Sequence, residues 1–363
     1  RESYGIYFPN GLQVASPAIW DILTAANKTT VAVNVPQTYP AKEINGVLIS
    51  GSVSLDFNKA VFPGQICSAL EQIDYRIDFS EQPVDRNRFY KELLYVLKKR
   101  RETFNYLMDR VDWNLFIGVI TGTGRLNRFF WNDYADLKSE GQQQFLNYFK
   151  EVDALIGEIA GKTTDDTDLI LMSDHGITSS KRDVYLNTWL KNEGLLKLKR
   201  DENANFDDID PSGTKVFAMD SGRIYINLKG VLPGGCVEPG REYDRLRKSL
   251  IERFLTLKDE SIGTPFISAI SRKEDVYHGP FSDRAPDLIL ETIDGYELRA
   301  DIDEDRLFGN NSHEGVATRQ DAFFCMKDID ALGTKPRIID LFPTILSILD
   351  IPFEGKTDGR PLV

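Results

Sequence analysis

Histidine is nearly absent from this chain. Only His175, His278 and His313 occur among 363 residues, so a site built on imidazole has three residues to draw on. Cysteine is equally scarce. Cys67, Cys236 and Cys325 are odd in number and far apart. They form no CxxC and no disulfide framework. Idle thiols of this kind fit a reducing compartment, so a soluble protein with a lean toward the cytoplasm is expected. No apolar run approaches the roughly 20 residues that span a bilayer. An excess of basic residues is missing too: the formal net charge is −12. Broad binding to a nucleic-acid polymer needs a basic face and is not expected. A small phosphate ester is not excluded, because metal ions can give an acidic protein local positive charge. Repeats, low-complexity tracts and a secretory signal are also lacking. The opening "RESYGIYFPNG" begins in mid-phrase, and processing, or residues ahead of Arg1, are expected.

What is present is an ordinary globular composition, 41% hydrophobic and 28% charged. The length suits one large α/β domain or two smaller ones. Strand-like and helix-like stretches alternate. "PAIWDILTAANK" has apolar residues at helical spacing, with Pro17 near its first turn. "TTVAVNV" and "GVLIS" read as buried strands. Residues 86–109 form a long amphipathic helix, "WNLFIGVI" (113–120) a strand, and residues 141–161 a further helix with Phe145, Tyr148, Phe149, Val152, Leu155 and Ile156 on one stripe. "DLILM" (168–172) is a buried strand, and "DVYLNTWLKNEGLL" a short helix ending near Gly194. From about 196 to 240 the chain is rich in Asp, Gly and Pro around one alternating strand, "RIYINL". The helix "REYDRLRKSLIERFLTL", the strands "PDLILET" and "DAFFCM", and the C-terminal helix "PRIIDLFPTILSILD" follow. Strands alternating with helices predict a mostly parallel sheet covered on both faces. Ligands in such folds sit beyond the carboxyl ends of the strands.

Ser173, Asp174, His175 and Gly176 stand at such an end, just after "DLILM". A carboxylate beside an imidazole is half of a metal site, since both are common ligands for zinc-like ions. The competing reading is a helix N-cap Asp followed by a turn His. His313, in "NNSHEGV", reads by itself as a surface loop histidine, and His278, in "VYHGPF", as structural or exposed. Asn34 and Thr38 follow the "VAVNV" strand, where polar side chains can meet a substrate. Pro36 and Pro40 favour a rim turn there instead.

The phrases "LMSDHGIT", "LNTWLKNEGLL", "RIYINLKG", "YHGPFSDRAPDLIL", "SHEGV" and "IIDLFPTILSILDIPFEGKTDGRPL" occur in that order. Together with "PAIWDILTAANKTTVAVNVPQTYPAKEINGVLISG" they resemble the alkaline phosphatase superfamily, in its type I phosphodiesterase/nucleotide pyrophosphatase branch, over essentially the whole chain. The resemblance implies an α/β/α sandwich around a central, mostly parallel sheet. It further implies one domain over 1–363, incomplete at its N-terminus, with a smaller lobe at about 196–290. It implies a two-metal hydrolase in which paired cations about 4 Å apart activate a hydroxyl nucleophile and hold the phosphoryl oxygens. Asp174 and His175 match ligands of one metal, and His313 matches the late His of the other.

Two departures limit that inference. In "TGTGRLNRFFW" (121–131), Arg125, Phe130 and Trp131 keep the family frame. Gly124 replaces the expected ligand Asp, Asn127 the Gln, and Arg128 the ligand His. Glycine has no side chain to coordinate with, and arginine carries a fixed positive charge. Only His313 remains of that metal's protein ligands, so this site is expected to be empty. "SYGIY" (3–7) resembles the family's HGI phrase with Tyr4 in place of His, so the Asp and the Thr or Ser nucleophile are expected ahead of Arg1.

Three readings follow. The first is a phosphodiesterase-like hydrolase with a degenerate site, at most one divalent ion (zinc or manganese), and weak or no activity. The second is a non-catalytic relative acting as an anion-binding or structural partner. The third is a single-metal, sulfatase-like hydrolase in which Arg128 replaces one ion and binds a phosphate or sulfate bidentately. The leaving group, the physiological metal and the oligomeric state are left open by the sequence.

Overall fold

A computed structural model describes residues 10–79, 85–136, 138–232, 234–310, 313–318, 321–327 and 335–363. The "SYGIY" phrase, and Asn311 and Ser312 of "NNSHEGV", lie outside the described residues. The chain divides into two compact units. Among the described residues, one comprises 10–177 and 317–363, and the other 178–316.

The first unit is built on a sheet of order β3–β2–β1–β4, formed by β1 (Thr30–Val35), β2 (Gly46–Ser50), β3 (Val61–Phe62) and β4 (Leu115–Gly118). β1 pairs in parallel with both β2 and β4, and β3 joins antiparallel to β2. The period-2 alternation of a strand divides the buried side chains between two faces. Val31, Val33, Val47 and Ile49 pack with Phe89, Leu93, Leu126 and Leu155, which come from α3 (Arg86–Met108), α4 (Gly122–Ala135) and α5 (Glu140–Lys162). Ala32 and Leu48 pack with Trp20, which α1 (Ile19–Ala25) supplies, and with Ile44. The expected mixed α/β fold around a central sheet with parallel strands is therefore present.

Caps set the helix starts. The Asp85 carboxylate accepts from the backbone N–H groups of Asn87 (2.9 Å) and Arg88 (3.1 Å), and Ser139 Oγ accepts from Gly141 N at 3.0 Å. α2 (Cys67–Ile73) buries Leu70 against the same core as α3.

Two expected elements differ. β5 (Ile170–Met172) is half-buried rather than buried, with Met172 at 37% exposure. It pairs antiparallel with strand Phe324–Met326. The helix expected from Asp183 begins later, because β7 (Arg182–Tyr185) pairs in parallel with Tyr296–Arg299 and antiparallel with Phe308–Gly309. Strand partners outweigh the local helical pattern until α6 (Leu186–Asn192). β7 follows β6 (Gly176–Ser179) after two residues.

The 178–316 unit carries a four-stranded sheet in which Arg223–Ile226 lies between Leu288–Thr292 and Val216–Asp220, with Ile267–Arg272 at the far edge. All of its pairings are antiparallel. Phe217, Ile224, Leu288 and Leu290 are buried with Leu250 and Phe254 of α7 (Arg241–Leu255). Among the described residues no helix is long and apolar enough to cross a membrane.

Candidate functional site

Asp174 and His175 occupy the turn between β5 and β6. The turn is pinned by two hydrogen bonds: Ser173 N donates to Phe323 O at 3.0 Å, and Phe323 N donates to Ser173 Oγ at 3.0 Å. Gly176 is required here for space. A Cβ on it would lie 2.5 Å from Asp321 Cβ and 2.7 Å from Thr318 Oγ1. A strand, not a helix, follows His175, so the N-cap reading of Asp174 does not apply.

The two candidate ligands face a common region. His175 Nε2 lies 3.7 Å from Asp174 Oδ1, and the side chains are 40% and 75% exposed. That separation lets both reach one cation with ligand bonds of about 2.1 Å. His175 Nδ1 lies 2.9 Å from the carbonyl of Gly176. An Nδ1–H donated to that carbonyl fixes the tautomer and leaves the Nε2 lone pair for a metal, a common support for ligand histidines. The donor set therefore fits a divalent ion, but only as two ligands. Among the described residues no group of three or more His, Cys, Asp and Glu side chains is placed to hold a metal.

α4 presents the altered phrase. It starts just beyond the carboxyl end of β4 and kinks at Phe130 (φ −130°, ψ 18°). Gly124 is exposed, and a Cβ built on it meets nothing within 4 Å. Arg128 is half-buried one turn later. Arg125 does not point to open solvent: its Nη2 donates to Asp78 Oδ2 at 2.9 Å, and its guanidinium lies 4.9 Å from the Phe79 ring centre. Ser52 Oγ donates to the same carboxylate oxygen at 2.9 Å. Behind it, the buried Arg100 donates to Tyr75 Oη and, at 2.6 Å, to Ile77 O. Asp78 and Ser52 carry no motif, so sequence reasoning missed this network; Arg125's place in the family phrase was its one signal.

Asn34 and Thr38 are committed to the backbone. Asn34 is fully buried at φ +65°, and its Nδ2 donates to Val119 O at 3.1 Å. Thr38 Oγ1 donates to Val35 O at 2.7 Å. These bonds match the rim-turn reading. His278 is exposed, after helix Lys273–Val276. His313, in the 178–316 unit, is nearly buried, with Nδ1 3.4 Å from Glu297 Oε2.

The model of the type I phosphodiesterase / nucleotide pyrophosphatase family matches residues 7–319. A search of curated proteins finds no match. Among solved structures, phosphonoacetate hydrolase from Sinorhizobium meliloti 1021 in complex with phosphonoformate aligns over 95% of this chain and 76% of its own, with a TM-score of 0.54 at 12% identity. Its complex with phosphonoacetate gives 0.53 at 11% identity over the same shares. Human ectonucleotide pyrophosphatase / phosphodiesterase 5 covers 95% of this chain and 72% of its own, at 15% identity and a TM-score of 0.47. At 11–12% identity, the likeness to phosphonoacetate hydrolase is one of fold.

Proposed function

The chain belongs to the type I phosphodiesterase / nucleotide pyrophosphatase family of the alkaline phosphatase superfamily, and from that premise we propose that it binds phosphate esters or related oxyanion esters through one divalent cation and Arg128, and turns them over far more slowly than a two-metal site would. The observation that carries this reading is the contrast between two turns. His175 Nε2 lies 3.7 Å from Asp174 Oδ1, close enough for both to serve one cation. Gly124, in the matching place of a ligand, offers no side chain at all.

A cation held by Asp174 and His175 would supply Lewis-acid polarisation of an ester oxygen. Arg128 contributes a permanent charge and a planar set of donors suited to a phosphoryl or sulfuryl group. His313 enters the proposal through its position in the family phrase alone. Loss of one catalytic ion removes several kcal/mol of charge stabilisation, on the order of 10²–10³ in rate or more. Zinc or manganese suits the two ligands. The thiol usage supports a reducing, cytoplasmic setting.

The test is elemental analysis of protein purified without added metal and dialysed, with an aryl phosphodiester assay on the same preparation. About one ion per chain, lost in His175→Ala, supports the proposal. No ion after incubation with zinc or manganese would leave an anion-binding, non-catalytic protein. Fast, chelator-sensitive turnover with two ions would overturn it.

A further inference from the structure

A cavity lies on the Trp20 face of the β1–β2 sheet. Its volume is about 50 Å³, and it is lined by Val14, Trp20, Leu48, Thr38 and Lys42 among others. On the same measure one water needs about 10–15 Å³, so the space admits a group of a few heavy atoms. Its lining is mainly apolar, and the Thr38 hydroxyl is already bound to Val35 O. The one cationic side chain in the lining, Lys42, is half-buried and makes no hydrogen bond or ion pair among the described residues.

The rim repeats this character. Leu12 (63% exposed) and Val14 (52%) stand on a segment fixed by Gly11 N donating to Tyr39 O at 2.7 Å. Val53 (66%) and Leu55 (85%) stand on the segment after β2, tied to the cavity wall by Gln37 N donating to Ser52 O at 3.2 Å. Single exposed apolar residues are ordinary; these four stand on two loops joined to the cavity lining.

We propose that this cavity binds a small organic anion with an apolar body and one acid group. The body displaces water from the Trp20 wall, and the acid pairs with Lys42, whose charge has no partner among the described residues. The cavity is connected to α4 by a chain of bonds running Gln37–Ser52–Asp78–Arg125. Occupancy of the cavity does not depend on the hydrolase reading.

The test follows the Trp20 indole N–H by NMR, assigned with Trp20→Phe, during titration with butyrate and with butylammonium. Butyrate is expected to shift the Trp20 signal saturably, and butylammonium not. Lys42→Met should weaken butyrate binding about tenfold without changing Tm. Val14→Asp should weaken it as well. No saturable shift, an equal response to butylammonium, or butyrate binding unchanged in both variants would overturn the proposal. Metal stoichiometry is read separately, so failure here and failure of the hydrolase reading are distinguishable.

Discussion

Arg125 and Asp78 are joined across 47 residues of chain, Nη2 to Oδ2 at 2.9 Å, with side chains only 25% and 10% exposed. The pair fastens the first turn of α4 to the segment that leads into α3. Arg125→Met should leave a largely withdrawn carboxylate without its nearest counter-charge and cost about 3 kcal/mol. The double variant with Asp78→Asn should recover part of that loss, so a double-mutant cycle in urea should show positive coupling. Independent, additive losses would mean the pair is incidental.

Gly124 sits inside a helix with open space where a Cβ would be. Gly124→Ala is therefore expected to stabilise by up to about 1 kcal/mol, read as a higher urea midpoint. The double change Gly124→Asp with Arg128→His supplies both side chains that the family frame expects. It should raise the bound metal by about one ion per chain. An unchanged metal content would show that more than two side chains has been lost.

Alkaline pH should unfold the protein through its buried phenols. Burial pushes Tyr75 up to about 12, and burial together with the bond to Asp259 pushes Tyr296 up to about 12. Tyr148 and Tyr243 are raised in the same direction, chiefly by burial. In the unfolded chain these phenols lose protons near pH 10. The folded form keeps its protons, so stability is complete below pH 10 and falls as pH rises from there through about 12. Tyrosinate absorbance and circular dichroism should change together in that window. Titration of all fourteen tyrosines at pH 10 with the fold intact would contradict this.

Asp340 anchors the C-terminal segment. Its carboxylate accepts from Arg360 N at 3.0 Å and Arg337 N at 2.9 Å, and these backbone donors, the Arg360 bond foremost, hold its carboxyl below the usual range. The stability it contributes is present above the unfolded carboxylate range and is lost as pH falls through the lower folded value. Asp340→Ala should speed amide exchange from about residue 351 onward, while α3 and α5 stay protected. Unchanged exchange at Arg360 would rule out the anchor.

The sequence exposed most where its pattern and its packing agree. "TTVAVNV" and "GVLIS" are strands because Val31, Val33, Val47 and Ile49 alternate with Ala32 and Leu48 across a sheet buried on both faces. The helices expected at 86–109 and 141–161 occur as Arg86–Met108 and Glu140–Lys162, each opened by a capping side chain. Partners distant in sequence were illegible. Nothing in "DLILM" announces an antiparallel match with Phe324–Met326, and nothing in "RDVY" announces Tyr296–Arg299 beside it. At the candidate site, the adjacency of Asp174 and His175 at the end of β5 was legible because it is local in sequence. The Asp78–Arg125–Ser52 network was not, because its members share no spacing rule.

The pairing of Ile170–Met172 with Phe324–Met326 also constrains the order of events during synthesis. Ser173 cannot bond Phe323 until the whole 178–316 unit has left the ribosome, and the long loop must then close at an entropic cost. The β1–β2–β4 sheet and its helices need no such wait, since all of them precede residue 163. The turn bearing Asp174 and His175 is thus secured late, on a scaffold already assembled. A nascent chain stalled before Phe323 would carry the scaffold while its candidate ligands were still unheld.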